Sequence, residues 1–145
     1  MADPYNLQRF VDAQQDVYAS VLSELKQGRK RGHWIWFIFP QLKGLGHSAN
    51  SEFFGIASLQ EARVYLQHPV LGSRLGECTQ LVNAVEGRYA EDIFGEIDAI
   101  KFRSCMTLFA KATSQNQVFM RALLKFFAGE FDPTTIRYLQ QQTSG

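Results

Sequence analysis

Apolar residues recur at helical spacing along almost the whole chain, and nowhere do they alternate with polar ones as a half-buried strand requires. The first such stretch carries Leu7, Phe10, Val11, Val17, Tyr18, Val21, Leu22 and Leu25. Asp3 is placed to cap it, Pro4 suits its first turn and Gly28 stops it. Ser58 and Glu61 form the S-x-x-E pattern of a capping box and open a second helix. His68 and Pro69 start a third, with Leu71, Leu75, Cys78 and Val82 on its inner face and Gly87 at its end. A helix from Glu96 is apolar around much of its girth, which predicts a central position. Asn116 caps a fifth helix that ends at Gly129, and Asp132-Pro133 caps a sixth with Ile136 and Leu139 inward. The expected fold is all-α: one compact helical domain of about six helices over residues 1–140, with a frayed tail over 141–145.

One segment leaves two readings open. Trp34 to Phe39 is a six-residue apolar run, and periodicity alone does not separate a buried helical turn from a short extended element. Pro40 disfavours helix at Phe39. In an extended segment Trp34, Trp36 and Ile38 share a face, and indole rings stack well on a flat heterocycle. Otherwise the run simply threads the core. Gln41 follows, where an amide can read a base edge. Lys43 to Asn50 is a Gly-rich polar loop with flexible N–H groups, a lysine and His47. Its spacing matches neither phosphate-binding glycine pattern, so an ordinary loop is the stronger reading.

Composition narrows the function. With 15 Lys+Arg against 14 Asp+Glu the net charge is +1, which argues against wholesale nucleic-acid coating. Two cysteines provide no disulfide framework and no Cys-rich zinc site, so a reduced cytoplasmic setting is expected. No apolar run is long enough to span a membrane. His33, His47 and His68 show no metal-binding helical spacing, so neither metal nor cofactor is expected. His33 opens the aromatic run, where it suits acid–base work, stacking or plain core packing. Asp98 and Lys101 sit three apart on the central helix, and Lys101 falls at helical spacing from Ile97, Ser104 and Leu108. A buried ammonium there needs a partner; a surface lysine would snorkel past the apolar face. Lys26, Arg29, Lys30 and Arg31 form a basic stretch that reads first as a solvated helix end and second as a weak RNA contact. No pattern for a Ser or Cys nucleophile is present.

His33-Trp34-Ile35-Trp36-Phe37-Ile38-Phe39-Pro40-Gln41, Gly44-Leu45-Gly46, Tyr65 to Leu75, Ile93-Phe94-Gly95, Asp98, Lys101 and Met106 to Phe109 together resemble the bacterial domain of unknown function 1810, whose members are sometimes labelled calpastatin-like. The resemblance spans nearly the whole chain and implies a mainly helical single domain without an established activity. Ser51-Glu52-Phe53-Phe54, with Met106 and Asn116 to Leu124, is similar to the YbiA-like (NADAR) superfamily, linked to ADP-ribose-type nucleotide metabolism. That similarity implies Glu52 as an acid or base and the Trp34/Trp36 region as a stacking wall.

The leading expectation is a phosphorylated or nucleotide-like small ligand in an aromatic-lined pocket. Trp34 or Trp36 would stack, His33, Gln41 and His47 would add polar contacts, and Lys43 and Lys101 would neutralise phosphate. Glu52 or Asp98 would polarise a water or hydroxyl, with ADP-ribose-related N-glycosidic hydrolysis as the reaction to test. The alternatives are a non-catalytic protein-interaction module, as a homodimer or with a partner, and RNA binding through Lys26–Arg31.

Overall fold

The computed structural model describes residues 2–144, so Gly145 of the expected tail lies outside the described residues. Among the described residues ten helices follow one another: α1 Gln8–Gln15, α2 Tyr18–Lys26, α3 Ile35–Ile38, α4 Ala49–Phe53, α5 Leu59–Gln67, α6 Leu71–Asn83, α7 Ala90–Phe94, α8 Glu96–Ala112, α9 Gln117–Phe127 and α10 Pro133–Ser144. Among the described residues there is no strand. Leu42 and Ile56 make one isolated parallel bridge, in which the Ile56 N–H donates to the Gln41 carbonyl and the Lys43 N–H to the Ile56 carbonyl.

The expectation of about six helices is corrected to ten. The six periodic segments are all present, but the first is broken at Asp16-Val17 into α1 and α2, which pack against different partners, α3 and α6. The other three helices are one or two turns long, too short for a periodicity to register. They are α3 from the aromatic run, α4 from the end of the Gly-rich stretch and α7 just before Gly95. The aromatic run is thus a buried helical turn, and Trp34 and Trp36 do not share a strand face.

Local chemistry accounts for the ends. The Ser58 hydroxyl accepts the Glu61 N–H, while the Glu61 carboxylate turns to the Ala57 N–H and Arg9, so half of the capping box forms. His68 Nδ1 accepts the N–H groups of Val70 and Leu71 and so caps α6. Gly95, at φ +83°, joins α7 to α8 in a conformation that favours glycine.

Helix α8 is central. Ten of its residues are buried, and α3, α5, α7, α9 and α10 all pack on it. Phe39, Phe94 and Phe102 form a ring cluster at its first turns: Phe39 meets Phe102 edge-on at 4.9 Å and Phe94 stacks on Phe102 at 4.6 Å. Such pairs add roughly 0.5–1.5 kcal/mol each beyond burial, enough to hold α3 and α7 against α8 despite their short length. Among the described residues no helix is long and apolar enough to cross a membrane.

Candidate functional site

The solvent-facing side of α8 is set by spacing. Ile97, Lys101 and Ser104 lie at i, i+4 and i+7, with Ile100 beside them, so they project as one stripe. Ile97 and Ile100 are exposed and Ser104 is buried at the stripe's lower edge. Two clefts flank the stripe and share Ile97 and Lys101. The larger, about 530 Å³, is lined by His33, Trp36, Phe94, Glu96 and Asp98. The smaller, about 220 Å³, is lined by Gln41, Leu45, Gly46, Ile100, Asp132 and Thr134, with Ser104 at its base.

Lys101 stands at the divide. Its ammonium is 3.8 Å from Asp98 Oδ1, an ion pair without a hydrogen bond, and it makes no hydrogen bond among the described residues. The other Asp98 oxygen is already taken by Lys30, at 2.8 Å. Lys30 also donates to the Gly32 carbonyl and lies 5.1 Å above the Trp34 ring. Two ammonium groups therefore share one carboxylate, and the more loosely held of the two faces the clefts.

The smaller cleft holds two further unpartnered polar groups. Asp132 Oδ2 accepts from the Thr135 N–H and hydroxyl, and Ser104 Oγ lies 2.9 Å from it. Among the described residues Asp132 Oδ1 has no partner. The Gln41 side-chain amide has none either, although the residue is only 9% exposed. Among the described residues the unpartnered side-chain polar atoms sealed from solvent are Trp36 Nε1 and Asn83 Oδ1, so Asp132 Oδ1 and the Gln41 amide both reach the cleft. Gly46 packs tightly beside this wall of the cleft: a Cβ there would strike the Ser51 side chain.

Of the residues singled out from sequence, His33, Trp36, Gln41, Asp98 and Lys101 gather at these paired clefts. Trp34 is placed in the core, its indole N–H donating to Glu24 at 3.0 Å. Lys43 and Glu52 are exposed, 4.0 Å apart, in a separate cleft with Arg9 and Phe53 that shares no lining residue with the other two. His47 is exposed on the loop and lines none of the three. Asp132, Thr134 and Ile100 join them without a site motif of their own. The sequence marks Asp132 only as a helix cap, and a capping carboxylate that spends one oxygen on the backbone keeps a second one free. Lys30 belongs to the basic stretch expected to be solvated, yet its ammonium is buried against Asp98. Among the described residues no group of three or more His, Cys, Asp or Glu is placed to hold a metal.

A family model described as Protein of unknown function (DUF1810) matches residues 4–139. The crystal structure of the conserved hypothetical protein Rv1873 from Mycobacterium tuberculosis is similar, at 56% identity and a TM-score of 0.94, covering 95% of this chain and 99% of that one. No curated protein matches the chain.

Proposed function

The chain belongs to the DUF1810 family, which brings no activity with it, and from that premise we propose that it binds a small phosphorylated or nucleotide-like ligand in the paired clefts across α8. The observation that carries this is Lys101. Its ammonium has three donors, no hydrogen bond among the described residues and only a share of the Asp98 charge, at the meeting point of two clefts. A cation so placed is complementary to an anion, and a phosphate oxygen satisfies its donors without disturbing the Lys30–Asp98 pair. Trp36 and Phe94 provide the aromatic wall on one side, and His33 lies at the rim.

Binding is the extent of the proposal. Of the two acids expected for N-glycosidic hydrolysis, Glu52 is exposed beside Lys43 in another cleft, and Asp98 lines the larger cleft with both carboxylate oxygens turned to Lys30 and Lys101. A general acid or base needs hydrogen-bond reach to the reacting atoms.

The test is thermal unfolding with ADP-ribose, ADP and inorganic phosphate. A ligand at a hundred times its Kd adds about 2.7 kcal/mol and raises Tm. Lys101→Met should abolish the shift and Lys43→Met should leave it intact. Absence of a shift with all three compounds overturns the proposal. A second reading, a protein-interaction module, is favoured by the exposure of Ile97 and Ile100 on one face. It predicts a dimer or larger species in size-exclusion chromatography that Ile97→Lys converts to monomer.

A further inference from the structure

Resting on the ligand site just proposed, we infer that the smaller cleft takes an uncharged sugar ring with vicinal hydroxyls, which donate to Asp132 Oδ1 and exchange hydrogen bonds with the Gln41 amide, while the ligand's phosphate lies on Lys101.

The electrostatics assign the two ends. Asp132 Oδ1 has no partner among the described residues, while Oδ2 is held as an acceptor by the helix cap, and a carboxylate oxygen accepts hydrogen bonds. It repels a phosphate and attracts hydroxyl protons. The phosphate belongs on Lys101, at the divide between the clefts, and the group seated against Asp132 is a donor without negative charge. Gln41 adds both a donor and an acceptor, which suits a hydroxyl because a hydroxyl is also both. Two adjacent hydroxyls can give one proton to Asp132 and share the other hydrogen bond with Gln41. The Thr134 side chain, which makes no hydrogen bond among the described residues, adds a further hydroxyl at the same mouth.

Size and wall chemistry select a sugar over a base. The cleft holds about 220 Å³, below the roughly 300–1,000 Å³ of sites for drug-sized ligands. One ring fits and a fused pair with its ribose does not. The apolar walls are Leu45, Ile97 and Ile100, which are aliphatic. They suit the C–H face of a saturated ring, whereas a flat base finds its stacking partners, Trp36 and Phe94, in the neighbouring cleft. A cation is disfavoured because Lys101 lines the same cleft.

Burial gives the inference its force. Asp132 and Gln41 are nine-tenths buried or more, so the polar atoms they turn to the cleft are carried on side chains enclosed by the fold. Asp132 is also held rigidly. Its N–H donates to Thr107 Oγ1 at 2.8 Å, Thr107 in turn donates to the Arg103 carbonyl, and three groups converge on Oδ2. The free oxygen is thereby fixed in place before any ligand arrives.

The experiment is calorimetric titration of the full chain with ribose 5-phosphate, 2-deoxyribose 5-phosphate and inorganic phosphate. Ribose 5-phosphate should bind at least about tenfold more tightly than its 2-deoxy analogue, a difference of about 1.4 kcal/mol. Asp132→Asn should erase that preference. Its carbonyl oxygen can replace Oδ2 in the helix cap while its NH₂ faces the cleft, so the fold is retained and the outward acceptor becomes a donor. Gln41→Met, which leaves the helix cap untouched, should weaken ribose 5-phosphate and spare inorganic phosphate. Equal affinity for the two sugar phosphates overturns the sugar assignment alone and leaves the phosphate site standing. Failure of all three to bind, together with the nucleotides above, overturns both.

Discussion

Lys30 Nζ stands 2.8 Å from Asp98 Oδ2, tying the loop after α2 to the first turn of α8. Lys30 is 7% exposed and Asp98 20%, so the pair is largely withdrawn from water. Breaking a fully buried pair costs about 3–5 kcal/mol because a charge is left uncompensated. Here Lys101 remains as a second cation for Asp98, so Lys30→Met should cost less, about 1–3 kcal/mol. Asp98→Asn should cost more than Lys30→Met, since it strands two ammonium groups. Urea unfolding of both single variants and the double variant measures the coupling.

Arg9 closes the N-terminal segment onto the body of the protein. Its five N–H donors reach the carbonyls of Tyr5, Asn6, Phe53 and Gly55 and the Glu61 carboxylate. A lysine has three donors and no planar fork. Arg9→Lys should therefore destabilise by about 2–4 kcal/mol, because three donors without the planar fork cannot serve four carbonyls and Glu61, and Arg9→Ala should cost more, because the buried Glu61 then also loses its cation. Near-wild-type stability of Arg9→Lys in urea would contradict this.

Acid should weaken the turn after α2. Burial pushes the Glu24 carboxyl up, but the Arg31 and Gly32 N–H groups, the Trp34 indole N–H and the Lys30 charge outweigh it, holding Glu24 below its ordinary value of 4.5. A carboxylate whose folded value lies below the unfolded one contributes stability that is fully present above the unfolded value. That contribution is lost as pH falls through the lowered folded value. Unfolding free energy should thus drop below about pH 4.5, and Glu24→Gln should flatten this limb while lowering stability at neutral pH. Parallel acid limbs for the two proteins would remove Glu24 as a cause.

Both thiols should be inert in the folded state. Burial pushes the Cys78 thiol up to about 12 and raises Cys105 well above its ordinary range. The thiolate is the reactive form. Alkylation at neutral pH followed by mass spectrometry should label neither cysteine in native protein and both in urea. Rapid native labelling of Cys78 would show that α6 opens locally.

Much of the fold is legible in the chain. The apolar stripes of α5, α6, α8, α9 and α10 are long enough to display their period, and Ser58, His68 and Asp132 mark starts that the side chains do cap. The candidate site is half legible. Asp98 and Lys101 come three apart on one helix, which spacing alone states. The remoteness of Lys43 and Glu52 from the Trp36 cleft, and the burial of Trp34 behind Lys30, do not follow from any local pattern. Each depends on how the short helices α3 and α4 are carried by the rest.

Helical period and capping chemistry act between residues a few positions apart, and so the order and extent of the long helices, and the central place of α8, were written into the linear chain. Orientation across the molecule was not. Whether an indole faces a cleft or the core, and which carboxylate a lysine meets, is settled when elements distant in the chain pack. Lys30 is withdrawn to Asp98, Gln41 is brought beside Asp132, and Lys101 is left with donors to spare. The reason is physical. Burial energy follows the apolar area removed from water and is indifferent to direction, so several placements of a polar group beside a given stripe satisfy the local pattern. Only the close packing of all the helices at once selects one of them.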